Sequence, residues 1–331
     1  MFKTLTLYES FQDFYGTNDY ITQTGVFKQS GLIFPFLNFD IENCLFQKLT
    51  SSCIYVNSTY SSTKLYLEKT FFTNNFSPTG SVALKMFDEG QSVQLHVCST
   101  YGSTTDFFLH CSSRVSGDPN SANHLNESTF ANNNGNDGNG VVSSNQRGNI
   151  IVNAINNSYN IGRHPGLHVF DSTSVAIAKY SAYLQNGNYK EYIITNEIGK
   201  AHFHHLNVIS NKVDIYPLIA TLRTGNSLNI EDSIICDNDV KSQIFGAFDK
   251  GTMNVIHCYV SNTNKDYGNA NVNLMSTKEF KNDLNIYPEA ICIANINNFG
   301  RKVNKCSNVN LPYEFSYIIQ ILLFTVLSAP D

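Results

Sequence analysis

His205, Asp232 and His257 follow one another at intervals of 27 and 25 residues, and Lys179 stands 26 residues before the first of them. If those intervals mark one structural repeat, the four side chains stack as a ladder with a carboxylate between two imidazoles. Such donors suit a weak metal site or a proton-responsive one. Charge pairing along a strand ladder is the plainer reading. His202 and His204 share one strand face, because alternate residues point together, with Phe203 turned the other way. A glycoside hydrolase would need carboxylates converging as acid and base. Asp232, Asp237 and Asp239, with Glu231 beside them and Asp249 further on, are the nearest approach to that arrangement. As turn residues on a solvated edge, they need no chemistry at all. The metal candidates are therefore His205, Asp232 and His257, and the catalytic candidates Asp232, Asp237 and Asp239. The leading expectation assigns neither set a working role. Gly-rich phosphate loops, nucleophile elbows and HExxH are missing from the sequence, and no cofactor is expected.

Composition narrows the function classes. Charged residues make up 15% of the chain, against about 25% in an average domain. The net charge is −5 and no basic cluster occurs, so nucleic acid is not an expected partner. Trp is absent while Phe (23) and Tyr (18) are plentiful, an aromatic choice that favours strands. The eight cysteines form no CxxC pair, which argues against a zinc ribbon or a thioredoxin-type site. Two readings stay open for them: an extracellular disulfide set, or thiols packed as small hydrophobes.

The elements that must carry these residues come from a repeat. The stretches 64–75, 201–212, 227–238 and 253–262 each hold two alternating apolar residues, a short gap, then two further inward positions. Taking the second apolar residue as an anchor gives Ile41, Leu67, Leu95, Leu125, Ile155, Ile177, Phe203, Ile230 and Val255. Three positions beyond, small polar or thiol residues predominate, among them Cys44, Thr70, Cys98, Ser128, Ser158, Ser233 and Cys258. Eight beyond, Asn75, Asn133, Asn211 and Asn238 recur. A unit this short with period-2 alternation cannot bury its apolar face alone; stacked coil upon coil, it can. The asparagines predict a turn ladder, and further apolar pairs such as Leu167–Val169 and Ile244–Phe248 predict a second strand before each new anchor. The expected fold is all-β, a right-handed parallel β-helix of about nine rungs. A β-sandwich also shows short, evenly spaced strands, but it explains no column at a fixed offset.

Four segments follow. Residues 1–36 read as an N-terminal cap or degenerate first rung and 37–275 as the β-helix. Residues 276–316 read as a C-terminal cap whose Ser276–Glu279 capping box opens a short helix over 277–284. Residues 317–331 are an apolar tail. Its Tyr317–Leu327 run is shorter than the ~17–20 residues of a spanning helix, so membrane contact is expected only if it is a truncated anchor. Glu9 and Asp13 interrupt any apolar run at the start, so no signal peptide is visible.

The pattern resembles the right-handed parallel β-helix, or pectin-lyase-like, superfamily, and more narrowly the repeats of the polymorphic outer membrane protein type. The FxxN motif of those repeats stands at Phe72–Asn75 and Phe130–Asn133, with looser forms at Tyr183–Asn186, Val208–Asn211 and Ile235–Asn238. Echoes of their glycine motif stand at Gly80–Leu84, Gly140–Val142, Gly166–Val169 and Gly246–Phe248. The resemblance implies a surface-exposed, adhesin-like protein, extracellular or on the cell surface. A lyase of this superfamily would need an Arg or Lys base near an acidic calcium cluster, yet Arg114, Arg147, Arg163, Arg223 and Arg301 sit in no recognisable motif. The expected function is a non-catalytic scaffold that binds protein or glycan. Contacts would fall on the loop tips Ser112–Asn123 and Asn132–Gly140. A carbohydrate-active enzyme, lyase or glycoside hydrolase, is the alternative.

Overall fold

The computed structural model describes residues 10–275, apart from 35–36, 59, 79–80, 106–107, 136–140, 189–190, 224 and 262–270. The chain is a parallel β-solenoid of about eight turns. That is about one fewer than the anchors imply, because a column of strands also counts end strands that complete no coil. The coils lay strands on three main faces, several coils add a two-residue strand between the second and third, and every registered strand pairing is parallel. The first face holds strands such as Lys64–Glu68 and Lys200–His204, the second Phe71–Thr73 and Asn207–Ile209. The third is a nine-stranded sheet that includes Leu84–Asp88, Val141–Gln146, His164–Phe170 and Ile194–Asn196.

Register places Ile41, Leu67, Gln94, Leu125, Val152, Ala178, Phe203, Ile230 and Val255 in one column. All nine are buried. Six match the expected anchors; Leu95, Ile155 and Ile177 do not, being displaced by one, three and one positions. Alternation misled there for separate reasons: Leu95 and Ile177 are apolar but outward, with polar Gln94 inward beside Leu95, and Ile155 is a core residue that lies past the corner at Ala154. Leu95 packs with Tyr66, Val93 and Phe11 in a cluster outside the coil, beneath the short helix Phe11–Tyr15. Ala178 points inward beside a bulkier but only half-buried Ile177.

The corners have a uniform cause. Two residues beyond the anchor, Asn43, Lys69, His96, Glu127, Ala154, Tyr180, His205, Asp232 and His257 all have φ between 44° and 54°. Seven beyond it, Lys48, Asn74, Tyr101, Asn132, Tyr159, Gln185, Ser210 and Asp237 have φ between 52° and 59°. A left-handed residue turns the chain while its N–H stays in the ladder: His205 N donates to Glu231 O at 3.1 Å and Asp232 N to Ile256 O at 3.1 Å. The strain is accepted because the corner keeps its backbone hydrogen bonds. Ala154→Gly is therefore expected to stabilise the fold by about 0.5–1 kcal/mol, the relief exceeding the added chain entropy. A urea midpoint that falls instead would show that this corner carries no such strain.

Hydroxyls close the gap next to the first corner. Ser233 Oγ accepts from Leu206 N (3.0 Å) and donates to Glu231 O (2.7 Å), and Ser181 and Ser128 do the same on their own rungs. At Cys258 the thiol donates to Ile256 O. Cys44, Cys53 and Cys258 are free and buried, whereas Cys98 and Cys236 are disulfide-bonded. The expected helix at 277–284 and the tail at 317–331 lie outside the described residues. Among those described, no helix is long and apolar enough to cross a membrane.

Candidate functional site

The expected ladder is present with one correction. Tyr180, not Lys179, occupies the corner column with His205, Asp232 and His257. Lys179 lies on the outer face of the first sheet, in register with His204. The Tyr180 and His205 rings stack at 5.1 Å, and His257 Nδ1 stands 3.8 Å from Asp232 Oδ1. Asp232 and Asp237 occupy the corners at the two ends of Ile234–Cys236, and Asp239 is an exposed residue opposite Lys212 in a two-residue strand. Asp249 turns the chain after the third sheet with φ 49°. All four stand at coil edges. No group of three or more His, Cys, Asp or Glu among the described residues is gathered to hold a metal. Of the expected loop tips, the exposed part of 112–123 is Gly117–Asn120, and 136–140 lies outside the described residues.

A second cluster, which the repeat did not reveal, lies on the outer side of the third sheet. Its outward column reads Ser144, His168, Thr195, Ala220 and Gly246. Apart from His168 these are small, which leaves room for side chains folded over the sheet. A Cβ on Gly246 would come within 2.6 Å of Pro217 and 2.7 Å of the Phe248 ring. Tyr192 packs against Tyr216 (5.3 Å) and Phe248 (6.5 Å), and Phe170 packs against His168 (5.9 Å).

Two histidine–glutamate pairs bridge neighbouring coils inside this cover. His168 Nε2 lies 3.1 Å from Glu197 Oε2, and its Nδ1 lies 3.0 Å from Ser144 Oγ. Glu197 also binds Arg223 at 2.7 Å. The hydrogen bond from His168 holds the Glu197 carboxyl below its ordinary range, against the opposing effect of burial. His164 stacks on His168 at 5.1 Å and reaches Glu191 at 2.5 Å, and Glu191 also binds Arg163. Burial alone would raise the Glu191 carboxyl, but its hydrogen bonds to His164 and Arg163 carry it below the ordinary range. His164 is 4% exposed, and this burial pushes its pKa down to about 4 despite Glu191. Its Nδ1 is buried and without a hydrogen-bond partner, as is Thr195 Oγ1.

Ser144, His168 and Glu197 are of the types that make a nucleophile, a base and an orienting carboxylate. Ser144, however, has no exposed area, and its Oγ also accepts from Gln146 Nε2 at 2.9 Å. Arg163 and Arg223 were visible in the sequence, but no motif tied them to these glutamates. The one signal available was the pair His164 and His168 within a single strand. Both rings lie on the outer side, four positions apart in that strand, with a register irregularity at Pro165–Gly166 between them. No family profile, curated protein or solved structure matches the chain.

Proposed function

We propose that the protein is a binding scaffold whose recognition surface is the covered outer face of the third sheet, and that its ligand is a glycan. One observation carries this reading: Tyr192, Tyr216 and Phe248 gather beside the Arg163–Glu191 and Arg223–Glu197 pairs, with Tyr216 42% exposed. Sugar rings present C–H faces that pack on aromatic side chains, and hydroxyls that planar charged groups bind in pairs. A rigid solenoid holds such groups at fixed spacing, as a preorganised site requires. The likeness of the repeats to the pectin-lyase-like superfamily and to polymorphic outer membrane proteins supports surface display and an adhesin-like role, and both belong to this proposal.

The enzymatic reading has one feature in its favour, the hydrogen-bonded series Ser144–His168–Glu197. The buried Ser144 weighs against it, and so does the spread of Asp232, Asp237 and Asp239 around the coil. One experiment serves both readings: a glycan array, followed by incubation of the bound glycans with the protein and analysis of products. Binding without new products is expected, and Tyr216→Ala should weaken it about tenfold, the loss of one aromatic contact of roughly 1.4 kcal/mol. Released sugars or acids would establish an enzyme instead. An array with no bound glycan would remove the glycan and leave a protein partner as the ligand.

A further inference from the structure

On the first sheet, His202 and His204 alternate along one strand and both face outward, while Phe203 between them is fully buried in the core. Glu231 on the next coil stands opposite His204 in register, and its Oε2 lies 3.1 Å from His202 Nε2. That nitrogen makes no hydrogen bond in spite of the short distance. The His202 and His204 rings are 5.4 Å apart and tilted by 46°. Both His202 and Glu231 are partly open to solvent, at 39% and 31%.

We propose that His202, His204 and Glu231 form a binding site for a borderline divalent cation of the zinc type. Two ligands that each stand about 2.0–2.1 Å from one zinc are roughly 3.3 Å apart. The His202 nitrogen and the Glu231 oxygen already stand at close to that separation, with no hydrogen bond to break. His204 supplies the third donor by turning its ring toward them. Before that rotation three donors are not gathered, in keeping with the described side chains. Two imidazoles and one carboxylate favour zinc, nickel or copper over magnesium or calcium, which prefer sets of oxygen donors. Lys179, in register with His204, adds positive charge that disfavours any cation lacking strong affinity for imidazole. His205, whose ring is 5.2 Å from His204, borders the site; Asp232 and His257, one corner away, are outside it.

The test is calorimetric titration of the full chain with zinc chloride, with magnesium chloride as the comparison. The parent should bind one zinc saturably and give no signal with magnesium. His204→Asn and Glu231→Gln should each weaken zinc by at least ~10-fold, the scale on which even outer-shell changes act. His257→Asn should leave the affinity unchanged. Two substitutions on different coils guard against one variant's failing to fold, and circular dichroism checks each. An absence of zinc binding in the parent would overturn the proposal. So would parental affinity in His204→Asn, or loss of binding in His257→Asn, which would move the site to the corner column.

Discussion

Asn186→Ala is expected to lower stability by about 3–5 kcal/mol, among the largest effects of any single polar substitution in this chain. Asn186 is 1% exposed and is the middle of a ladder of side-chain amides. Its Oδ1 accepts from the backbone N–H of Asn160 at 2.9 Å and from Asn160 Nδ2 at 3.3 Å. Its Nδ2 donates to Asn157 O and to Asn211 Oδ1, both at 3.1 Å. Truncation leaves the Asn160 N–H buried and unpaired and removes the side-chain donor to Asn157 O on the same coil, while Asn211 Oδ1 keeps only the Asn186 N–H; each group left unpaired costs about 1–3 kcal/mol. The same contacts repeat from Asn133 through Asn160, Asn186 and Asn211 to Asn238, so the damage falls on the inter-coil coupling that makes stacked repeats cooperative. Urea denaturation of Asn186→Ala beside the exposed control Lys200→Ala measures it. The control should move by less than about 0.5 kcal/mol. A comparably small change in Asn186→Ala would show that the ladder is ornamental.

The second large effect is acid sensitivity that begins well above the carboxylate range. His164 titrates in the fold at about 4, against about 6.5 when unfolded. A depressed histidine pKa means that the unfolded chain binds the extra proton. The associated stability is complete above pH 6.5 and is lost as pH falls toward 4. For a side chain as buried as His164 this is on the order of 3 kcal/mol. Burial also lowers His124 to about 4; its ring meets Phe14 of the N-terminal helix edge-on at 5.4 Å. The depressed Glu191 and Glu197 add a further loss once pH passes below about 4.5. Asp40 acts in the opposite sense: burial, with Glu42 and Glu68 nearby, raises it to about 6, so acidification through pH 6 relieves a penalty. The net expectation is a urea midpoint that declines from pH 6.5 to 4, with a shallower slope in His164→Gln. A midpoint flat from pH 8 to 5 would sink this account.

Much of the scaffold was legible before any coordinates. The columns through Ile41, Leu67, Leu125, Phe203, Ile230 and Val255 were readable because the inward apolar residues are followed by outward polar ones, Ile256 after Val255 excepted. Asn75, Asn133, Asn211 and Asn238 were found at their true ladder positions. Asn160 was missed, and Asn186 was read only as the end of a loose FxxN form and not as part of the column, for a traceable reason. The anchors before them were placed at Ile155 and Ile177 rather than Val152 and Ala178, so the offset of eight fell on the wrong residues. Left-handed backbone was expected at the ladder residues Asn75, Asn133, Asn211 and Asn238, but it falls one residue earlier, at Asn74, Asn132, Ser210 and Asp237, and it was not foreseen at His96, Glu127 or Tyr180. Side-chain type does not report φ where inter-coil hydrogen bonds outweigh local preference.

The sequence by itself therefore determined the parallel stacking, the coil length and the asparagine turns, since each is a pattern repeated at a fixed offset. Tertiary structure alone decided which chemistry-bearing residues meet. Ser144, His168 and Glu197, or His202 and Glu231, lie more than twenty residues apart along the chain, on different coils. The loops between coils vary in length, and a one-residue change in register turns a side chain from the core to the surface. Spacing along the chain therefore could not predict these meetings, whereas the ladder of backbone hydrogen bonds fixes them.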